Sequence, residues 1–210
     1  MQYNPDKHHR RSIRLKGYDY SKAGAYFVTI CTKDMECLFG DIVDGEMRLN
    51  EYGTIITNRW DAIPNYIANV ERDVFVVMPN HIHGIIVIVG AQFIAPSQFI
   101  APAGINRPVP QHSAINQTKN QGVINQGVIN HAPTVGEIVR VFKARCTHII
   151  NQIRDTPRYP VWQRNYYEHL IRNEEDLNRI RQYIIDNPMK WSEDKDNPTN
   201  IGRGVIYHAL

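Results

Sequence analysis

The sequence predicts an α+β fold from three observations: short apolar, β-branched runs that read as strands, an Asp-Gly pair between two shorter ones, and long stretches with helical periodicity and capping residues. The first strand is "GAYFVTICT", from Gly24. In "CLFGDIVDGEMRLNEYG" the pair Asp44-Gly45 marks a two-residue hairpin, because both residue types accept the positive φ that such a turn needs. Ile55, Ile56, Trp60 and Ile63 follow at helical spacing up to Pro64, which predicts a helix ending near Ala62. "DVFVVM" and "IHGIIVIV" flank Pro79 and Asn80 and predict an antiparallel pair. The second run is apolar on both faces, as in a strand central to its sheet. After Pro133, Thr134 and Glu137 carry a capping-box signature, and Ile138, Val141, Phe142, Cys146 and Ile149 share one helical face. "VWQRNYYEHLIR" has no assignable pattern. The last helix is "NEEDLNRIRQYIIDNP", where Asn173 can cap, three acids fill the first turn and Pro188 stops the run.

One domain accounts for the 210 residues, with a basic arm over 1–17, a low-complexity insertion over 91–131 and a peripheral tail over 192–210. The insertion repeats QFIAP and then NQGVI, units too short for a solenoid and too poor in core formers to pack. Hydrophobic residues make up 42% and charged residues 21%, the balance of a soluble globular protein, and no run is long enough to span a bilayer. The polar N-terminus lacks the apolar stretch of a secretory signal, which predicts a cytoplasmic protein. Cys31, Cys37 and Cys146 fit neither zinc nor redox spacing and read as reduced, mostly buried thiols. A net charge of +3 gives no general argument for nucleic acid. Local clusters say more: Lys7, Arg10, Arg11, Arg14 and Lys16 crowd the first residues, and Arg140, Lys143 and Arg145 share a helix. Such patches attract phosphates, a solvated surface being the alternative reading.

Within "DVFVVMPNHIHGIIVIVG", His81 and His83 sit two apart, so in a strand they point to one side while Ile82 turns away. Two imidazoles on one rigid face suit chelation of a divalent cation, and Gly84 is expected to leave room for a substrate beside them. Two satisfied histidines at a strand mouth are the plain alternative. A functional site also needs a third ligand and a reacting group. Tyr183 and Asn187 lie one turn apart, roughly 40° around a helix, at the edge of the stripe formed by Leu177, Ile180 and Ile184. Tyr166 and Tyr167 compete, but one turn on they meet Leu170 and Ile171, which cannot bind metal. Tyr183 also reads as a core tyrosine with its hydroxyl at the rim.

"MPNHIHGIIV", "TVGEIVRVFKA" and "VWQRNYYEHLIRNEEDLNRIRQYIIDNP", in this order, resemble the single-tyrosine transposases with a His-hydrophobe-His motif, and among them the REP-associated tyrosine transposase branch. The resemblance covers Ser12 to Trp191 apart from the insertion. Its specificity rests on P-N-H-x-H-G, the W-Q-R-x-x-Y-E-H-x-I-R block and Y-x-x-x-N-P occurring together. It implies a ferredoxin-like or RRM-like antiparallel sheet backed by helices, and an enzyme that nicks and rejoins single-stranded DNA near repetitive-palindrome-like hairpins through a 5′-phosphotyrosine. It implies Tyr183 as nucleophile, His81 and His83 as metal ligands, and Asn187 at the position of the third, amide-type ligand. The family suggests Mg2+, while imidazole nitrogens better suit Mn2+ or a later metal. A homodimer with exchanged tyrosine helices and a monomer both occur among such relatives.

Arg10, Arg11, Arg14 and Lys16 are expected to grip a hairpin backbone, with Arg140, Lys143, Arg164 and Arg172 as further DNA contacts. His169 could support a ligand or a helix end. Trp162, Tyr166 and Tyr167 either stack on unpaired bases or pack in the core. Two other functions compete: a domesticated hairpin-binding protein that does not cleave, and a phosphodiesterase that activates water. Intact His81, His83, Tyr183 and Asn187 argue against the first, and a tyrosine that water activation does not require argues against the second. Ile85, where a third histidine would stand, disfavours a histidine-triad hydrolase.

Overall fold

Strands β1 (Gly24–Cys31), β4 (Val70–Val77), β5 (His81–Ile88) and β6 (Tyr167–Ile171) pair in the order β4-β5-β1-β6, every neighbour antiparallel. These assignments come from a computed structural model that describes residues 23–89 and 133–200. Arg10, Arg11, Arg14 and Lys16, and the repeats of 91–131, lie outside the described residues. Helix α1 (Glu51–Asp61) and a short α2 (Ile63–Tyr66) connect β1 to β4, α3 (Val135–Arg154) precedes β6, and α4 (Glu174–Asp186) follows it. The third strand of the sheet thus lies between the first and second, with a helix in each crossover, which is the ferredoxin-like arrangement of two split βαβ units. β2 (Gly40–Val43) and β3 (Glu46–Leu49) form the separate hairpin, turning at Asp44 (φ 53) and Gly45 (φ 76). The unassigned block contains β6, whose burial does not alternate cleanly because Glu168 is buried while Leu170 is only partly so.

The sheet has a helical layer on each face. Tyr26, Val28, Ile30, Ile82, Ile86 and Ile88 meet Ile56, Trp60, Ile138, Phe142 and Cys146 from α1 and α3. On the other face, Phe27, Ile85 and Val87 meet Leu177, Ile180 and Ile184 from α4. Every residue of β5 is buried, and its side chains alternate between these two cores. Gly84 points to the α1 face: a Cβ there would stand 2.4 Å from Cζ2 of Trp60, which stacks on Phe75 at 4.5 Å. The missing side chain therefore accommodates a tryptophan, and the expectation that it clears space for a substrate does not hold. Trp162 is likewise core, 5.3 Å from Phe39 and 5.9 Å from Phe142 between ring centroids.

The Thr134–Glu137 capping box forms as predicted, with Thr134 accepting from the Glu137 amide. Val141 and Ile149 lie half-buried beside the stripe, whose fully buried positions include Val135, Val139 and Ile150. Cys146 is buried, Cys31 half-buried and Cys37 exposed, all as free thiols. Within the tail expected to be peripheral over 192–210, residues 201–210 lie outside the described residues, and 192–200 make contacts with the body of the fold. A 3-10 turn (Pro188–Glu193) leads into residues that return to the sheet, where Asn80 Nδ2 donates to the Asp196 carbonyl at 2.6 Å. Asn80 is fully buried, and a buried amide needs its partners. Sequence polarity conceals this, because the contact is made by the backbone. Among the described residues no helix is long and apolar enough to cross a membrane.

Candidate active site

His81 and His83 both point to the α4 face at the first turn-proximal end of β5. His81 is fully buried and His83 is 3% exposed. Register fixes their neighbours: Thr29 lies opposite His83, and Cys31 opposite His81. The Asn80 side chain donates through Nδ2 to the carbonyls of Met35 and Asp196, at 3.2 and 2.6 Å. Its Oδ1 is left to accept, so His81 Nδ1, 2.8 Å away, carries the proton and His81 Nε2 presents a lone pair. Thr29 Oγ1 stands 2.8 Å from His83 Nδ1 and can donate or accept by rotation. The two Nε2 atoms converge to 3.1 Å.

Burial pushes His81 down to about 3, aided by Lys195, and pushes His83 well below its usual range, aided by His81 and Lys195. Both rings are neutral at pH 7, the state in which imidazole ligates a metal.

Helix α4 delivers the other candidates. Asn173 caps its start by accepting from the Asp176 amide, and Arg181 makes a two-pronged contact with Asp73 of β4, Nε to Oδ2 at 3.0 Å and Nε to Oδ1 at 3.2 Å. Asp73 sits where the β4–β5 register shifts, between Arg72 and Phe75. Two residues beyond Arg181, Tyr183 Oη reaches to 3.4 Å from His83 Nε2, and its ring packs against Phe27 at 6.0 Å. Tyr183 is 44% exposed, so the side chain is reached by solvent while its ring packs on Phe27. Burial and then Asp194 raise its pKa above the usual phenol value, against a lowering contribution from the Asn187 side chain. Tyr183 and the histidines belong to one chain, so no exchange of helices between copies is needed to bring them together.

Asn187, the C-cap of α4, is 4% exposed, and its Oδ1 is buried without a hydrogen-bond partner. Such an orphan costs about 1–3 kcal/mol unless something at the site satisfies it. An orphaned amide oxygen, two neutral imidazoles and a 3.1 Å separation between their Nε2 atoms fit a divalent cation with bonds of about 2.1 Å. Among the described residues no group of three or more His, Cys, Asp or Glu side chains already stands close enough to enclose an ion.

The remaining predicted residues divide. His169 Nε2 lies 3.0 Å from Asp176 Oδ2, which places it against the first turn of α4. Arg140, Arg164 and Arg172 are exposed. Lys143 donates instead to the carbonyls of Gln163 and Asn165 at 2.9 and 2.8 Å, and burial lowers it to about 8. Its ammonium pins the loop ahead of β6. Tyr167 is on the α4 face with its ring 6.1 Å from Phe27, while Tyr166 donates to Glu168 at 2.8 Å. Asn80, Thr29 and Asp194 complete the surroundings and were not singled out by sequence. Asn80 within P-N-H-x-H and Thr29 inside an apolar strand are the only signals that could have marked two of them.

The fold and the site together define the class: a ferredoxin-like sheet bearing a His-hydrophobe-His pair beneath a helix that carries a tyrosine. The chain belongs to the same family as an uncharacterized protein of Haemophilus influenzae, with which it is 40% identical over 193 residues, 92% of this chain and 96% of that one. No family model matches the sequence. Among solved structures it is similar to a REP-associated tyrosine transposase bound to a REP hairpin, at 17% identity and a TM-score of 0.48, over 85% of this chain and 74% of that one. It is also similar to a candidate transposase from Deinococcus radiodurans, at 15% identity and a TM-score of 0.35, over 83% and 97% of the two chains.

Proposed function

We propose that this chain is a single-tyrosine, His-hydrophobe-His transposase of the REP-associated kind, which nicks and rejoins single-stranded DNA beside hairpins. The observation that carries the reading is the approach of Tyr183 Oη to 3.4 Å from His83 Nε2 within one chain, with a buried, unpartnered Asn187 oxygen one helical turn beyond Tyr183. Tyr183 is the nucleophile. Its hydroxyl gives up a proton, a bond forms from Oη to phosphorus, and the bond from phosphorus to the 3′ oxygen breaks. That oxygen takes up a proton, leaving a 5′-phosphotyrosine and a free 3′-hydroxyl. Attack by a 3′-hydroxyl of another strand reverses these steps and joins DNA without an external energy source.

His81, His83 and Asn187 would hold a divalent ion, Mg2+ or Mn2+. When bound, the ion supplies positive charge that favours phenolate and withdraws charge from the scissile phosphate. The chain's own residues do the positioning. Asn80 and Thr29 fix the imidazoles, Arg181 and Asp73 hold α4 on the sheet, and the Asn187 amide donates toward the Tyr183 hydroxyl. Arg140, Arg164 and Arg172, with the N-terminal Arg10, Arg11, Arg14 and Lys16, would contact phosphates and make binding weaken as salt rises.

The test incubates the protein with labelled single-stranded DNA carrying its own flanking hairpins, with Mg2+ or Mn2+, and resolves adducts on a denaturing gel. Tyr183→Phe is expected to abolish the adduct and retain hairpin binding. An adduct that survives Tyr183→Phe and vanishes in Tyr167→Phe overturns the nucleophile. Hairpin binding by the wild type with no adduct in either metal makes the chain a non-cleaving hairpin-binding protein.

A further inference from the structure

Resting on the reading that His81, His83 and Asn187 hold a divalent ion, we propose that Asp194 is a further ligand, supplied by the segment that follows α4. Its side chain is 10% exposed, and Oδ2 stands 3.9 Å from His81 Nε2. That distance is too long for a hydrogen bond. Since the proton of His81 is on Nδ1, its Nε2 and the Asp194 Oδ2 are both electron-rich atoms at that separation. The arrangement is unfavourable for a carboxylate in so little water, and a cation between the two would reverse its sign. One ion in contact with both at about 2.1 Å each spans up to about 4.2 Å, so the His81–Asp194 separation is within the reach of a shared ion.

The placement of Asp194 is held by structure on both sides. Its Oδ1 accepts from the Asp196 amide at 2.7 Å, and its own amide donates to the Trp191 carbonyl at 3.1 Å. The Asp196 carbonyl accepts from Asn80 Nδ2 at 2.6 Å, and the Trp191 ring lies 6.1 Å from His81. One side chain, Asn80, therefore sets the tautomer of His81 through its oxygen and the position of the Asp194 segment through its nitrogen. Ligand and carboxylate are oriented by the same amide. With Asp194 the donor set becomes two nitrogens, an amide oxygen and an anionic oxygen, which adds a hard, charged ligand and suits Mn2+.

The experiment titrates the full chain with Mn2+ in the absence of DNA, following free Mn2+ by electron paramagnetic resonance, for the wild type, His81→Ala, Asp194→Asn and Asp196→Asn, each checked for fold by circular dichroism. Asp194→Asn is expected to weaken binding about tenfold or more, His81→Ala to remove it, and Asp196→Asn, which keeps the backbone carbonyl, to leave it within about twofold. If His81→Ala removes binding while Asp194→Asn matches the wild type, Asp194 is not a ligand and the histidine reading stands. If Asp196→Asn weakens binding as much as Asp194→Asn, the effect is one of net charge and the proposal fails. If the wild type binds no Mn2+, the ion itself is lost from the reading and Asp194 with it.

Discussion

The two faces of strand β5 are equally buried and chemically opposite. Ile82, Gly84, Ile86 and Ile88 face α1 and α3, where Trp60 fills the space over Gly84. His81, His83, Ile85 and Val87 face α4, and there the packing gives way at one end to imidazoles, a phenol and a buried amide. One face fixes the backbone from which the histidines project, and the other carries the proposed reacting groups. A single strand thus separates stability from chemistry by its period of two.

The largest expected effect lies on the first face. Trp60→Ala removes a ring that is 1% exposed and packed between Phe75 and Phe142, and should cost about 3–5 kcal/mol in urea unfolding. The surviving folded fraction should bind Mn2+ with unchanged affinity, and a parallel loss of affinity would break the separation of the faces. Asp73→Asn probes the second face at about 1.5–3 kcal/mol, the worth of hydrogen bonds to a charged partner. Here the rate of adduct formation should fall while Mn2+ affinity stays put, and reversing the pair as Asp73→Arg with Arg181→Asp should restore part of the rate. A rate insensitive to Asp73→Asn would mean that the contact with Arg181 does not position Tyr183.

Per unit step, the smallest effect is one of pH. His81 and His83 have pKa values lowered by folding, so the unfolded chain binds more protons below about 6.5. Their contribution is complete above that value and is lost as pH falls toward about 3 for His81. In chelator, stability should drop by up to about 1.4 kcal/mol per pH unit for each imidazole over the acid side of that window. His83→Gln should flatten the slope, and an unchanged slope would assign the acid sensitivity to other groups.

What sequence conveyed follows from the range of the interactions. The side shared by His81 and His83, and the turn shared by Tyr183 and Asn187, are local consequences of strand and helix periods, so spacing alone revealed them. Gly84 was misjudged because a residue without a side chain does not disclose which face it serves. Thr29 and Asn80 gain their roles from the β1–β5 register and from a carbonyl 116 residues along the chain, relations that no local pattern encodes. Asp194 lay hidden for the same reason, in a polar stretch that composition describes as surface. β6 escaped assignment because five residues with Glu168 buried present neither alternation nor an apolar run.

The last described strand ends at Ile171, whereas Tyr183, Asn187 and the Asp194–Asp196 latch all come later. During translation, every described strand of the sheet is therefore synthesised before the proposed nucleophile. A nascent chain that stops short of α4 carries both imidazoles but no Tyr183 phenol, so on the proposed reading competence to bond to DNA would wait on that helix.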